Sequence, residues 1–380
     1  MSSQLSRRSL LQVTGLSSLG AAALSLIGAR GLRAANGLAA DGLAADGLTA
    51  NGAAAGGSAP SGSTQPAATY GHAGHSMITV GRVSTDDFNP TTFLRTWNFS
   101  DLPPGQRETV YRETRRPDGS RLREYDLFAI DREIEIAPGL FFPAWTYNGQ
   151  VPGPTIRATE GDRLRINFVN QGSHPHTIHF HGWHRSEMDG SLPDHQVMPG
   201  DKFVYEFDAE PFGLHLYHCH ANPLKRHIHK GLYGAFLIDP KGGRPPADEL
   251  VMVMNGFDTN FDADNEVYAV NTVAHHYMHE PIRVTVGKPV RMYLINVTEF
   301  DVLNSLHLHA VFFDVFRTGT SLTPSEVTDT IMLCQGERAI LETAFRYPGQ
   351  FMFHAHQSEF AELGWMGLFR AQEPNRETHH

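Results

Sequence analysis

Four short stretches place two histidines two residues apart: His179-Phe180-His181, His218-Cys219-His220, His307-Leu308-His309 and His354-Ala355-His356. On an extended strand successive side chains point to opposite faces. Both imidazoles of each pair therefore leave on one face, about two residue rises or roughly 7 Å apart. That spacing suits two neighbouring metal ions better than chelation of one. In the second stretch the thiol of Cys219, one of only 2 cysteines in 380 residues, points the other way, so the triplet can serve two metal centres at once.

Cys219 and His227, followed five residues later by Leu232, have the order of a blue-copper loop: a thiolate, an imidazole, then the place of a weak axial ligand. The axial place is apolar. His229 is the rival of His227; the spacing to Leu232 favours His227 and leaves His229 a solvated histidine at a strand end. The whole stretch from Leu214 to Ile238 reads as β-strand from its alternation. The competing view is a histidine-rich surface strand around a buried cysteine that acts as a small hydrophobe, and the three other His-x-His pairs weigh against it.

An internal repeat tells which elements must position these residues. From Tyr125 onward the chain reads as short strands between Gly/Pro turns, which points to β-sandwiches. GDRLRINFVN, HPHTIHFHG, MPGDKFVYEF, GLHLYHCH and GLYGAFLIDP are answered in the same order by GKPVRMYLINV, NSLHLHA, CQGERAILETAF, GQFMFHAH and GWMGLFRAQEP. Two copies of one fold follow, over residues 120–240 and 251–373, joined by the Pro/Gly-rich linker 241–250.

A hydrophobic content of 41% supplies ordinary cores for two domains. The net charge of −10, with no basic block, argues against nucleic acid or an anionic membrane as partner. Two cysteines allow at most one disulfide and say nothing about redox compartment. Ser6-Arg7-Arg8-Ser9-Leu10-Leu11, followed by an apolar Gly/Ala-rich run to about Ala29, is similar to a twin-arginine signal. Gln12, Thr14, Ser17 and Ser18 interrupt that run, which falls short of the ~20 apolar residues of a membrane span. The expectation is a signal peptide over residues 1–34, export to the periplasm or beyond by the twin-arginine route, and no membrane insertion after its removal. Residues 35–69 read as a flexible low-complexity linker. Residues 70–119 read as an N-terminal extension, irregular from Phe88 to Gly119 and packed on the first domain, with His72, His75 and Met77 in a solvated tail. Residues 374–380 form a C-terminal tail.

The four motifs, in this order, resemble the copper motifs of multicopper oxidases, whose domains are cupredoxin β-sandwiches, and the resemblance spans Tyr125 to Gln372. It implies an all-β chain of two tandem cupredoxin-like Greek-key sandwiches, a two-domain laccase-like member. It further implies that His179, His181, His218, His220, His307, His309, His354 and His356 hold a type 2 copper and a type 3 pair, with one of His179 and His307 per domain assigned to type 2. His176, three residues before His-Phe-His, would join Cys219 and His227 in the type 1 site, giving four coppers per chain. The second repeat has Asn304, Ala355 and Phe360 at those three places, so the single blue site belongs to the N-terminal domain. The resemblance also implies a homotrimer in which domain 1 of one subunit faces domain 2 of the next, a heterologous contact that closes a ring. Asp189 resembles the family's acid near the type 2 copper; where a second acid normally stands there is Ser358, and Glu359 is the nearest.

The activity this implies is one-electron oxidation of a reducing substrate, a phenol or aromatic amine by family default, with electrons passing through Cys219 to His218 and His220 and O2 reduced to water. Copper nitrite reductase is the enzyme alternative. It needs only three histidines at a single type 2 copper, with an Asp where this chain has His179 and a non-ligand where it has His220. A non-enzymatic periplasmic copper carrier or electron-transfer cupredoxin would leave the paired histidines idle, and a structural zinc site needs only four ligands. Outside these motifs, Asp258, Asn260, Asp262 and Asp264 imitate an EF-hand but lack its Gly and bidentate Glu, which leaves an acidic loop. Cys334 reads as a core thiol, and His275, His276, Met278 and His279 as an incidental exposed cluster.

Overall fold

The computed structural model describes residues 81–95 and 110–374. The signal-like segment, the linker, and His72, His75 and Met77 lie outside them. The described residues belong to one compact unit, built of four sheets and a few short helices.

The first sandwich packs a six-stranded sheet, centred on the long strand Arg121–Ala137, against a four-stranded sheet. The smaller sheet runs Gly153–Thr159, Tyr233–Asp239, Gly213–His218, His179–Phe180, with the first pair parallel and the others antiparallel. The second sandwich repeats that order in Ile282–Thr285, Met366–Gln372, Gly349–His354 and Leu303–Leu308, again with only the first pair parallel. Its register is repeated too: His179 stands opposite His218, and His307 opposite His354. The chain is thus all-β, with two cupredoxin-like sandwiches in tandem.

Each sandwich has its own apolar core. A third core joins them: Leu214, Leu216, Tyr233 and Leu237 of the first pack with Val251, Val253, Tyr293 and Ile295 of the second. Burying an aliphatic side chain of this size is worth about 1.5–3 kcal/mol, so the two halves are held as firmly as a domain interior. Glu249 adds a polar tie, accepting from Arg157 of the first sandwich and from Arg291 and the Tyr293 hydroxyl of the second.

Three local readings are corrected. The stretch Leu214–Ile238 is not continuous strand: Leu224–His229 is a helix between strands Gly213–His218 and Tyr233–Asp239. Pro223 occupies its N-cap position and good helix formers, Leu, Lys and Arg, fill its first turn. The extension is neither irregular throughout nor confined to the first domain. Tyr111–Arg115 pairs with Arg121–Ala137, whereas Leu94 is buried in the second core, its carbonyl accepting from Val251 N–H. The second domain's first strand, Asp248–Phe257, begins inside the expected linker.

Candidate metal centres

The strand alternation sorts the side chains in both sandwiches. Ile178, Phe180, Tyr217 and Cys219 point into the first core, and His179, His181, His218 and His220 leave on the other face. Leu306, Leu308, Phe353 and Ala355 point into the second core, and His307, His309, His354 and His356 leave opposite.

Within the first quartet His181 and His218 bring their Nε2 atoms to 3.2 Å, and in the second His309 and His354 bring theirs to 2.9 Å. The Nδ1 atoms are held from behind. His218 Nδ1 lies 2.9 Å from the Cys219 carbonyl and His354 Nδ1 2.7 Å from that of Ala355; His179 Nδ1 lies 2.8 Å from the Asp189 carbonyl and His307 Nδ1 3.0 Å from that of Asp329. A carbonyl acceptor fixes the proton on Nδ1 and leaves Nε2 with a free lone pair, as a metal requires. Burial, with the neighbouring imidazoles adding to it, holds His181 far below the usual histidine range and His218 at about 4, so both are neutral and ligand-competent. No ring contact or hydrogen bond among these eight residues joins one quartet to the other. Each chain carries two separate histidine quartets.

On the core side, His176, Cys219 and His227 are all buried. Cys219 Sγ lies 3.2 Å from His227 Nδ1 and 3.9 Å from His176 Nδ1, and the two Nδ1 atoms are 3.2 Å apart. A thiol and two neutral imidazole nitrogens converging in an apolar pocket are a soft-metal donor set. Burial, opposed by the Thr177 N–H bonded to sulfur, pushes the free thiol up to about 11; burial lowers His227 to about 4. The thiol and the His227 imidazole are therefore neutral, and a bound cation would turn the thiol into a thiolate. The helix explains the choice between histidines. Residues two apart on a helix project to nearly opposite sides, so His227 faces Cys219 while His229 cannot. His229 is not solvated: it is buried, and its Nε2 accepts from Asp258 N–H at 2.9 Å. Leu232 is buried in the same apolar core as Cys219, its carbonyl accepting from Cys219 N–H. Copper fits this donor set, and the two histidine quartets fit copper.

Asp189 Oδ1 lies 3.2 Å from His179 Nδ1. Glu359 is exposed on the helix Ser358–Glu362. A carboxylate that sequence reasoning missed, Asp329, comes within 3.9 Å of His307 Nδ1; no local motif marks it. Cys334 is exposed rather than a core thiol, because it ends its strand pointing away from the sheet interior. The His275–His279 group is mostly half-buried, with His276 bonded to Thr91 Oγ1 at 2.8 Å. In the acidic loop the Asp258 carboxylate accepts from the N–H groups of Asp262 and Ala263, and Glu266 from Thr259 and Asn260.

Residues 132–243 and 244–375 each match a family described as multicopper oxidase. A crystal structure of a multicopper oxidase is 55% identical, with a TM-score of 0.70, covering 75% of this chain and 97% of that one. The copper-containing nitrite reductase of Neisseria gonorrhoeae is 30% identical over 248 residues, 60% of this chain and 62% of that protein. Laccase 1 of Metarhizium guizhouense is 41% identical over 102 residues, 26% of this chain and 16% of that protein. The chain thus spans less than two thirds of the length of these two curated relatives. It belongs to the multicopper oxidase family, whose members are copper oxidoreductases.

Proposed function

We propose that this protein is an exported laccase-like oxidase that takes electrons singly from a small reducing substrate, a phenol or aromatic amine, and passes them to O2. The observation that carries this reading is the pair of complete histidine quartets. A nitrite reductase would need three of those eight imidazoles, and a copper carrier none. Copper bound by His176, Cys219 and His227 would supply one-electron transfer, and copper bound by the eight histidines the reduction of O2 to water, four ions per chain. The strand Gly213–His218 and the residues after it then link the sites covalently: Cys219 faces one centre while His218 and His220 face the other. The apolar Leu232 supports a high reduction potential, since a missing thioether disfavours Cu(II) more than Cu(I).

Because the two quartets of one chain make no contact, we take each to be completed by the opposite quartet of a neighbour, in a homotrimer. Export by the twin-arginine route belongs to the same reading and rests on Arg7 and Arg8. The nitrite reductase alternative is favoured by the identity to the Neisseria enzyme. Oxygen consumption and nitrite reduction, measured over a panel of phenols, redox dyes and Cu(I) beside a copper count, separate the two. Four coppers per chain with O2 uptake is the expected result; two coppers with nitrite turnover would overturn it. Light scattering should find a trimer, and a fully active monomer would remove the intersubunit centre.

A further inference from the structure

The first quartet opens on a cavity of about 590 Å³ whose far wall is not from its own sandwich. His179, His181, His218 and His220 line one side, Leu224, Lys225 and Ile228 of the helix another, and Val297, Glu299, Gln335 and Gly336 of the second sandwich face them. Glu299 is the one carboxylate in this lining, and its residue is only 5% exposed. The cavity is large enough to hold water against both that residue and the imidazoles.

We infer that Glu299 feeds protons into this cavity for the reduction of O2, as a residue distinct from Asp189 and Glu359. The inference rests on the oxidase reading. Each O2 takes four electrons from the reductant and four protons to become two waters; Glu299 releases one proton at a time into the cavity water, is reprotonated from solvent, and ends as it began. Three features suit it to that role. Burial pushes its carboxyl up to about 7, against the opposing pull of the Lys225 ammonium and the bond from Gln335, which is where a proton donor works best near neutral pH. The carboxylate oxygen Oε1 accepts from Gln335 Nε2, and the backbone carbonyl of Glu299 accepts from Asn265 Nδ2, so the carboxyl is held at its tip by one element and its backbone by another. Of the charged groups beside it, Lys225 Nζ sits 4.4 Å over the Phe300 ring and Asp301 is engaged by Asn265 and Tyr268, while the imidazoles of His179, His181, His218 and His220 face it across the cavity.

The test uses copper-loaded protein and the variants Glu299→Gln and Glu299→Asp. Copper content, blue absorbance and the anaerobic rate at which a reductant bleaches the blue band should match the parent within two-fold in both. Infrared difference spectra of parent minus Glu299→Gln should show one protonated carboxyl, lost as pH rises with a midpoint raised by burial above the ordinary ~4.3. With saturating reductant, kcat for O2 uptake in Glu299→Gln should fall at least ~10-fold and lose the limb that declines through that midpoint in the parent; general-acid groups commonly contribute about 10²–10⁴-fold. Glu299→Asp, which keeps an acid in the cavity, should recover such a limb. A carboxyl titrating near the ordinary ~4.3, or Glu299→Gln with the parent's kcat and pH profile, would overturn the assignment alone. A parent that takes up no O2 with any reductant would remove the oxidase reading and this assignment together.

Discussion

The two sandwiches share a backbone ladder behind their second His-x-His pairs, and differ in what that ladder carries on its inward face. Cys219 N–H donates to the Leu232 carbonyl and Leu232 N–H to that of His227; Ala355 N–H donates to the Trp365 carbonyl and Trp365 N–H to that of Phe360. That ladder sets Cys219 and His227 against Ala355 and Phe360 without any appeal to sequence spacing, and Asn304 answers His176 by standing three residues before its His-x-His pair. In the second copy the three places are given over to packing and ordinary polar bonding. Phe360 stacks on Tyr268 at 4.2 Å and 15°, Ala355 is fully buried, and Asn304 donates to Thr298 Oγ1. The outward histidines are duplicated and the inward ligands are not, because a strand's two faces can change independently.

The largest effects should separate those faces completely. Cys219→Ser is expected to abolish the blue absorbance while leaving most of the remaining copper in place, measured by visible spectra and metal analysis. His354→Ala should do the reverse, ending O2 uptake with the blue band intact. Its motivation is Ala355: with no thiolate behind it, the second-domain strand serves only the histidine centre. A His354→Ala variant that lost its colour while folded, or kept the parent's turnover, would break the comparison.

Next comes stability. Phe360→Ala removes a buried ring and should cost about 3–5 kcal/mol in denaturant unfolding without touching the blue band. His227→Ala, at the equivalent place in the first sandwich, should bleach the colour. Equal loss of colour in both would mean that the second-domain position is not a pure packing site.

Much of this division was legible beforehand, for a physical reason. Period-two alternation fixes which face each residue of His-Cys-His takes, and the repeat then transfers the argument to His-Ala-His. What stayed hidden depends on contacts between distant residues. His229 looks like a solvated histidine until the helix Leu224–His229 turns it toward the Asp258 N–H. Asp329 reaches His307 only because the register sets His307 opposite Thr330, a pairing that no local pattern announces. Leu94 likewise shows no period in its own segment, yet it fills the second core. The Asp329–His307 contact supplies a further test: Asp329→Ala and Asp189→Ala should each lower O2 turnover or copper occupancy by about 10–100-fold, the usual cost of losing a group that orients a ligand histidine. An effect from Asp189 alone would show that the quartets, alike in geometry, are unequal in use.

The smallest effect concerns the residue that closes the inward site. Leu232 and Trp365 share a backbone role, each accepting from the strand residue that points into the core and each donating to the helix residue five positions earlier. Only Leu232 has a thiol behind it. Its side chain is fully buried and carries no donor atom, so it can contribute shape and dryness but no bond to a metal held by His176, Cys219 and His227. Leu232→Met nearly conserves volume and should fold with little cost, while adding a thioether that favours Cu(II) over Cu(I). A tenfold change in that preference corresponds to about 59 mV for a one-electron couple, so redox titration of the blue band should give a potential lower by something on the order of 60 mV. Substrates of high potential should then be oxidised more slowly, and readily oxidised ones at nearly the parent rate. An unchanged or raised potential would mean that the Leu232 side chain does not face the open coordination position, and that the backbone ladder shared with Trp365 is all the two residues have in common.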